Sequence, residues 1–344
     1  MIDFTPNPVA IQIGSLPIYW YGIGYVLGLA LTYWIINREA ERRGHDATIL
    51  GNGFVIVAIA ALVGGRIYHL VDQWQTLYAN RPLIEAILPI HQQPDGSWAF
   101  SGFTGLGVYG GLISGTITAW VYLRVKRVSF WTWSDLVAPG LFAMQAVARW
   151  GNFFNQELYG PPTTLPWGIA IQCGHRIPEY ACPAGMDPTL TLGQHFQPLF
   201  LYESLSGVIG MVALLYLARR LPNRLRTGDL LGLFFVWYGI VRFALETLRA
   251  DNWTFFGIPT AQIFSTLFIL TGLAIIGWRH ARGAPTLAAV DVAAREAAEA
   301  AAAAEGESGE TGADDDEEDW DDEDAEETDG RRGVAPGAAP DPAR

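Results

Sequence analysis

Apolar residues fill seven stretches of this 344-residue chain, at 18–37, 51–71, 102–123, 134–150, 198–217, 228–247 and 258–278. A bilayer core of about 30 Å is crossed by about 20 helical residues at 1.5 Å rise each, and the stretches have roughly that length. The fourth is the shortest and runs into a charged segment. The pattern predicts an all-α, polytopic integral membrane protein. Its seven transmembrane helices would occupy residues 1–282, with two longer outer loops at 72–101 and 151–197.

Lys and Arg divide the connections into two kinds. Arg38, Arg42 and Arg43 follow the first stretch, Arg124, Lys126 and Arg127 the third, Arg219, Arg220, Arg224 and Arg226 the fifth, and Arg279 and Arg282 the seventh. In a seven-helix weave these all fall on one side, whereas the opposite loops hold only Arg81, Arg176 and Arg249. Short basic loops remain in the cytoplasm, so the N-terminus is expected outside and the C-terminus inside. No basic segment precedes the first stretch, which therefore reads as a retained anchor and not a cleaved signal peptide.

Composition changes the picture past residue 282. Half of the residues are hydrophobic and 17% are charged, but residues 283–344 hold 20 Asp and Glu against 4 Arg, a net −16 that leaves +3 for the rest of a total of −13. The acidic run 314–324, broken only by Trp320, offers too little apolar surface to offset the entropy of ordering. Residues 283–344 are expected to form a disordered, acidic cytoplasmic tail that is dispensable for activity; a docking tail is the other reading.

Cys173 and Cys182 lie in the second outer loop, where oxidising conditions favour a disulfide over catalysis. No phosphate loop, dinucleotide fingerprint or zinc motif is present, so no cofactor, metal or nucleic-acid partner is expected. The pairs Gly24 and Gly28, Gly107 and Gly111, and Gly111 and Gly115 have the spacing that lets helices pack closely.

Ionisable residues inside spans are costly and usually face a bundle interior or a water-filled path. Tyr238, Arg242, Glu246 and Arg249 are spaced four, four and three apart, which puts them on one face of the sixth helix toward its outer end. Arg66, Arg149, Tyr202 with Glu203, Tyr19, Tyr21 and Tyr109 fall at the same outer depth in other spans. Singly, each has an ordinary explanation: a snorkelling Arg, an interfacial Tyr, a structural ion pair. Their common depth points instead to a cavity open to the outer leaflet. Guanidinium groups match phosphate, so an anionic lipid headgroup is the natural guest.

Residues 148–160 read Ala-Arg-Trp-Gly-Asn-Phe-Phe-Asn-Gln-Glu-Leu-Tyr-Gly, a headgroup-binding loop by composition, expected to be turn-rich and just outside the fourth helix. This segment resembles the signature of the prolipoprotein diacylglyceryl transferase family and departs from it only at Ala148, where the family has Gly. Further motifs of that family are matched at 19–22, 64–66, 198–203 and 238–249, and Gln262 and Ser265 fit the start of the last span. Together they cover nearly all of the membrane body, in order, and leave out the tail.

The resemblance implies a multi-pass transferase of the bacterial cytoplasmic (inner) membrane. It would move the diacylglyceryl group of phosphatidylglycerol to the lipobox cysteine of an exported preprolipoprotein, forming a thioether and releasing glycerol phosphate, the first step of lipoprotein maturation. Phosphatidylglycerol, lipobox-containing preprolipoproteins and membrane lipid are then its partners. Arg149 and Arg242 would stabilise charge growing on the leaving phosphate. Tyr238 and Glu246 would orient Arg242 or the substrate, and Asn152, Glu157 and Gly160 belong to the headgroup site, with Tyr21, Arg249 and Arg66 beside them.

The family's His-Gly-Gly is here Tyr109-Gly110-Gly111, and two further positions often His are Gln197 and Tyr19. A phenol of pKa near 10 is a poor base for a thiol of about 8.5. Tyr109 is then left to lipid binding, and the proton acceptor is open among Glu157, Glu246, His195 and direct stabilisation of the thiolate by the arginines. A lipid flippase and a non-catalytic lipid-binding scaffold are the alternatives. The flippase predicts polar residues continuing to the cytoplasmic side, which the spans lack.

Overall fold

The computed structural model describes residues 1–310 apart from 15, 80–83, 86–89, 94–95, 101–106, 251 and 253. Its long helices are α1 (Trp20–Arg43), α2 (Ala47–Asp72), α3 (Val108–Val125), α4 (Phe130–Phe154), α5 (Leu199–Arg220), α6 (Asp229–Glu246), α7 (Thr260–Ala281) and α8 (Leu287–Glu310). The first seven lie on the seven apolar stretches. By length and composition, α2, α5 and α7 are long and apolar enough to cross a membrane. The start of the third stretch, 102–106, and part of the loop 72–101 lie outside the described residues.

Two boundaries differ from the expectation for physical reasons. α1 begins at Trp20 because Leu16–Tyr19 is extended and pairs antiparallel with Val9–Ile13. α4 is longer than 134–150 at both ends. Ser129 caps it by accepting from the Thr132 amide, and no Gly-Pro break follows Trp150, so the helix runs on through Asn152 to Phe154.

α4 is the centre of the bundle, touching α1, α5 and α6, while α2 packs with α3 and α6 with α7. Asp135 on α4 is fully buried and accepts from the Gly228 amide at 2.7 Å and the Leu231 amide at 3.0 Å. It thus caps the N-terminus of α6, satisfying donors that have no partner within their own helix. Gly228 sits at φ 102°, a conformation suited to Gly. α6 and α7 approach almost to backbone contact: a Cβ at Gly239 would lie 2.7 Å from the Ser265 carbonyl oxygen, and one at Gly232 2.9 Å from that of Gly272. The face of α2 presents Val55, Ile59, Leu62 and Val63 to the surroundings, an apolar surface suited to lipid.

The loop 151–197 has a small core of its own, built from Tyr159, Ile169, Ile171, Phe196 and Phe200. Cys173 and Cys182 are joined in a disulfide as expected. Arg176 lies 5.0 Å over the Phe196 ring and donates to the Ile171 carbonyl at 3.1 Å. Burial pushes the Tyr159 phenol above its ordinary pKa; its oxygen accepts from the Ile177 amide at 2.6 Å.

The chain divides into compact units Met1–Ala298 and Glu299–Arg344. The expectation of disorder from residue 283 onward is corrected for its opening part, which is a turn followed by α8. The Thr227 amide donates to Pro285, Leu287 to Leu225 and Ala288 to Pro222, so residues 284–288 lie along the α5–α6 connection. Leu287 is 1% exposed and packs in the cluster of Leu214, Ala218 and Leu230. Asp291 accepts from Arg43 Nε at 2.9 Å and lies 3.2 Å from His45 Nε2, tying α8 to the α1–α2 turn. An Ala-rich stretch has the highest intrinsic helix propensity, and Leu287 supplies the anchor that the acidic composition obscured. The acidic run 314–324 lies outside the described residues. Nearby, Glu39 is held by Arg42 and Arg219; burial opposes its ionisation, but the two guanidinium groups outweigh it and keep its carboxyl below the usual range.

Candidate active site

The last turns of α4 carry Arg149 and Asn152 three residues apart, with Arg149 Nη1 3.5 Å from Asn152 Oδ1. These residues are on the helix and not in a loop beyond it. After Phe154 the backbone enters positive φ at Gln156 (54°) and Leu158 (56°), which turns Glu157 back toward the helix end. Glu157 Oε1 accepts from Asn152 Nδ2 at 2.7 Å and from Asn155 Nδ2 at 3.3 Å. Gln156, 2% exposed, anchors this turn through Gln172 at 2.7 Å. Gly160 is surrounded by protein. Its amide donates to Gln197, and a Cβ there would crowd Leu199, Gln197 and the Leu248 carbonyl at 3.2–3.3 Å. Its part is close packing of the turn between α5 and the end of α6.

α5 meets α4 closely: Ser204 Oγ donates to the Ala146 carbonyl at 2.7 Å, and a Cβ at Gly207 would lie 2.9 Å from the Phe142 carbonyl. That approach sets Glu203, 3% exposed at its side chain, against Arg149 in an ion pair. Arg242 Nη1 lies 3.8 Å from the other Glu203 oxygen, and Arg242 Nη2 lies 2.6 Å from Glu246 Oε2. The four side chains alternate in sign across three helices, Arg149, Glu203, Arg242, Glu246. Glu203 Oε2 and Glu246 Oε2 are buried and meet the guanidinium groups as ion pairs, without a hydrogen bond of standard geometry. Glu203 was placed by the sequence at the depth of the cavity but was given no catalytic or binding role there. Its signal was a carboxylate beside Tyr202 inside an apolar span.

Tyr238, one turn before Arg242, lies within electrostatic reach of Glu203, Arg149, Arg242 and Tyr109. Its ring meets Phe268 edge-on at 5.6 Å, and Phe264, one turn earlier on α7, lies 6.3 Å from Tyr109. Tyr109 is 54% exposed. Tyr21 packs its ring on Gly151, where a Cβ would stand 2.5 Å from the ring edge, and its hydroxyl is 3.4 Å from that of Tyr25. It is also within charge range of Glu157 and Arg149. The structure therefore brings Arg149, Asn152, Glu157, Tyr21, Tyr109, Tyr238, Arg242 and Glu246 to one region.

Others are engaged differently. The Arg66 guanidinium lies 5.6 Å over the Tyr78 ring. Arg249 falls beyond the end of α6, where Asn252 donates to its carbonyl at 2.8 Å. His195 Nε2 is 2.7 Å from Asp3, and Tyr202 accepts from Trp167 Nε1 at 2.8 Å. Ser265 is 1% exposed against α6. Among the described residues no three of His, Cys, Asp and Glu gather as a metal site.

The chain is also similar to known proteins. The family model for prolipoprotein diacylglyceryl transferase matches residues 8–278. The chain belongs to that family. It is 32% identical over 279 residues to the phosphatidylglycerol--prolipoprotein diacylglyceryl transferase of Listeria innocua, covering 81% of this chain and 92% of the relative. The protein of the same name from Halalkalibacterium halodurans is 34% identical over 279 residues, with 81% and 88% covered. That from Trichormus variabilis is 33% identical over 288 residues, with 82% and 92% covered. The family match contains every site residue named above and ends inside α7, so α8 lies outside it.

Proposed function

We propose that this chain transfers the diacylglyceryl group of phosphatidylglycerol to the lipobox cysteine of a preprolipoprotein in the bacterial cell membrane. The observation that carries the reading is the convergence of Arg149 and Arg242, from α4 and α6, on one buried carboxylate, Glu203. Two guanidinium groups gathered at one place suit a phosphate on which charge grows. We further read α1–α7 as seven crossings with the N-terminus outside, because Arg42, Arg43, Arg124, Arg219, Arg220 and Arg279 stand at one end of the bundle and the candidate site at the other.

In the reaction the cysteine sulfur forms a bond to the glycerol carbon of the lipid that bears the phosphate. The carbon–oxygen bond breaks, its electron pair leaves with glycerol phosphate, and the thiol proton is taken up by a base. Arg149 and Arg242 stabilise the leaving phosphate; Tyr238 and Tyr109 flank it. Glu157 is the carboxylate best placed as the base, being exposed and held by neutral amides, whereas Glu203 and Glu246 are buried against arginines.

The test is an assay of the purified protein with labelled phosphatidylglycerol and a lipobox peptide. Label on the peptide cysteine supports the transferase; saturable lipid binding without transfer supports the scaffold, and movement of intact lipid between leaflets the flippase. Glu157→Gln is expected to lower kcat by about 100-fold, the lower range of general-base contributions, with a smaller change in KM. A variant whose activity rises with pH as steeply as the parent's, at an unchanged kcat, would remove Glu157 from that role.

A further inference from the structure

A second basic recess lies at the opposite end of α4 from the candidate active site. It has a volume of about 730 Å³ and is lined by Trp120 and Arg124 of α3, Arg127 of the connecting turn, and Ser129, Phe130 and Trp131 at the start of α4. That size is within the roughly 300–1,000 Å³ of ordinary ligand sites. Twenty residues separate Ser129 from Arg149, about 30 Å along a helix, so the recess is no extension of the first site.

Its chemistry is selective. The Arg124 guanidinium lies 5.2 Å over the Trp120 ring, and the turn that presents Arg127 is fixed by its φ of 57° and by the Val128 amide donating to Leu123 at 3.0 Å. Arg42, Arg43 and Arg219, at the ends of their own helices, each have a carboxylate partner. Arg124 and Arg127, like Arg220, Arg224 and Arg282 at the same end, have none among the described residues. The recess opens at the N-terminus of a 25-residue helix, where the backbone dipole adds to the attraction for an anion. Beside it, α3 exposes Trp120 by 46%, Val121 by 45% and Val125 by 73%, an apolar strip continuous with the basic one.

We infer that this recess is a second anionic-phospholipid site, taking a lipid phosphate on Arg124 and Arg127 with the acyl chains along the exposed face of α3. A free phosphate shares the headgroup chemistry, but it has no use for the apolar strip, and basic pockets between helices at a membrane face suit lipid headgroups. The inference does not depend on which chemistry the first site performs.

The experiment is native mass spectrometry of the full chain in detergent with added phosphatidylglycerol, comparing the parent with the Arg124→Ala/Arg127→Ala variant and with Arg242→Ala. Both replaced side chains are exposed, and an unchanged melting profile checks folding. The parent is expected to retain one phosphatidylglycerol more than Arg124→Ala/Arg127→Ala, with about a tenfold or larger rise in the Kd of that lipid, as loss of charge-assisted hydrogen bonds implies. Arg242→Ala should keep this lipid. Phosphatidylcholine should not replace it, because its headgroup is neutral overall, and millimolar glycerol phosphate should not displace it. Equal lipid counts in the parent and the double variant, equal retention of phosphatidylcholine, or displacement by glycerol phosphate each overturns the proposal.

Discussion

Alanine at Arg242 is expected to lower diacylglyceryl transfer by about 100- to 1,000-fold, the loss seen when one preorganised donor to a developing anion is removed. Arg149→Ala should do the same, because the two guanidinium groups reach one carboxylate, Glu203, from different helices. The variants differ in their secondary effect. Arg242 is also the partner of Glu246, whose side chain is 4% exposed, so its removal strands a buried carboxylate and should lower the melting temperature. Arg242→Ala combined with Glu246→Gln should recover stability without recovering transfer. Arg242→Lys keeps the charge but loses the planar fork, and should fall between parent and alanine in rate. Transfer of labelled lipid, measured beside thermal melting, separates these effects. Near-normal transfer by both single alanine variants would overturn the assignment of the site.

The second large effect concerns the C-terminal extension. A chain ended after Arg282 is expected to melt well below the full protein, whereas one ended after Glu310 should melt with it. Ending at Arg282 removes Leu287 from its apolar cluster and leaves Arg43, 3% exposed at its side chain, without Asp291. Breaking one partner out of a buried ion pair costs about 3–5 kcal/mol, a large fraction of the stability of a typical domain. The measurement is thermal unfolding of the three chains in one detergent. Equal melting of the Arg282-ended chain and the full chain would show that α8 contributes nothing. Composition alone makes this segment dispensable for activity, whereas the contacts of Leu287 and Asp291 predict a loss of stability.

The helices of the bundle were legible because each lies on an apolar run, though among the described residues only α2, α5 and α7 are long and apolar enough to cross a membrane, and Tyr238, Arg242 and Glu246 share one helix face by spacing alone. Arg249 shows the limit of that argument: α6 ends at Glu246, so the three-residue step to Arg249 leaves the helix. Glu203 was visible as a carboxylate in a span but not as the link between two arginines, since its partners are 54 residues before it and 39 after. α8 was hidden for another reason. Net charge dominates the reading of residues 283–344, while the docking depends on single residues, Leu287 and Asp291, whose partners Leu225, Leu230 and Arg43 lie far away in sequence. Gly160 was taken with its motif as a headgroup residue, yet its surroundings are Leu199, Gln197 and Leu248, a steric requirement that a sequence pattern does not distinguish from ligand contact.

The alternation of Arg149, Glu203, Arg242 and Glu246 bears on what happens after the bond is broken. Glycerol phosphate departs with one more ionisable oxygen than the diester from which it came. Two uncompensated arginines would grip that dianion hardest at the moment it should go, and the enzyme would stall on its own by-product. In the proposed site Glu203 and Glu246 already balance the cations, so a departing phosphate would leave both arginines with carboxylate partners.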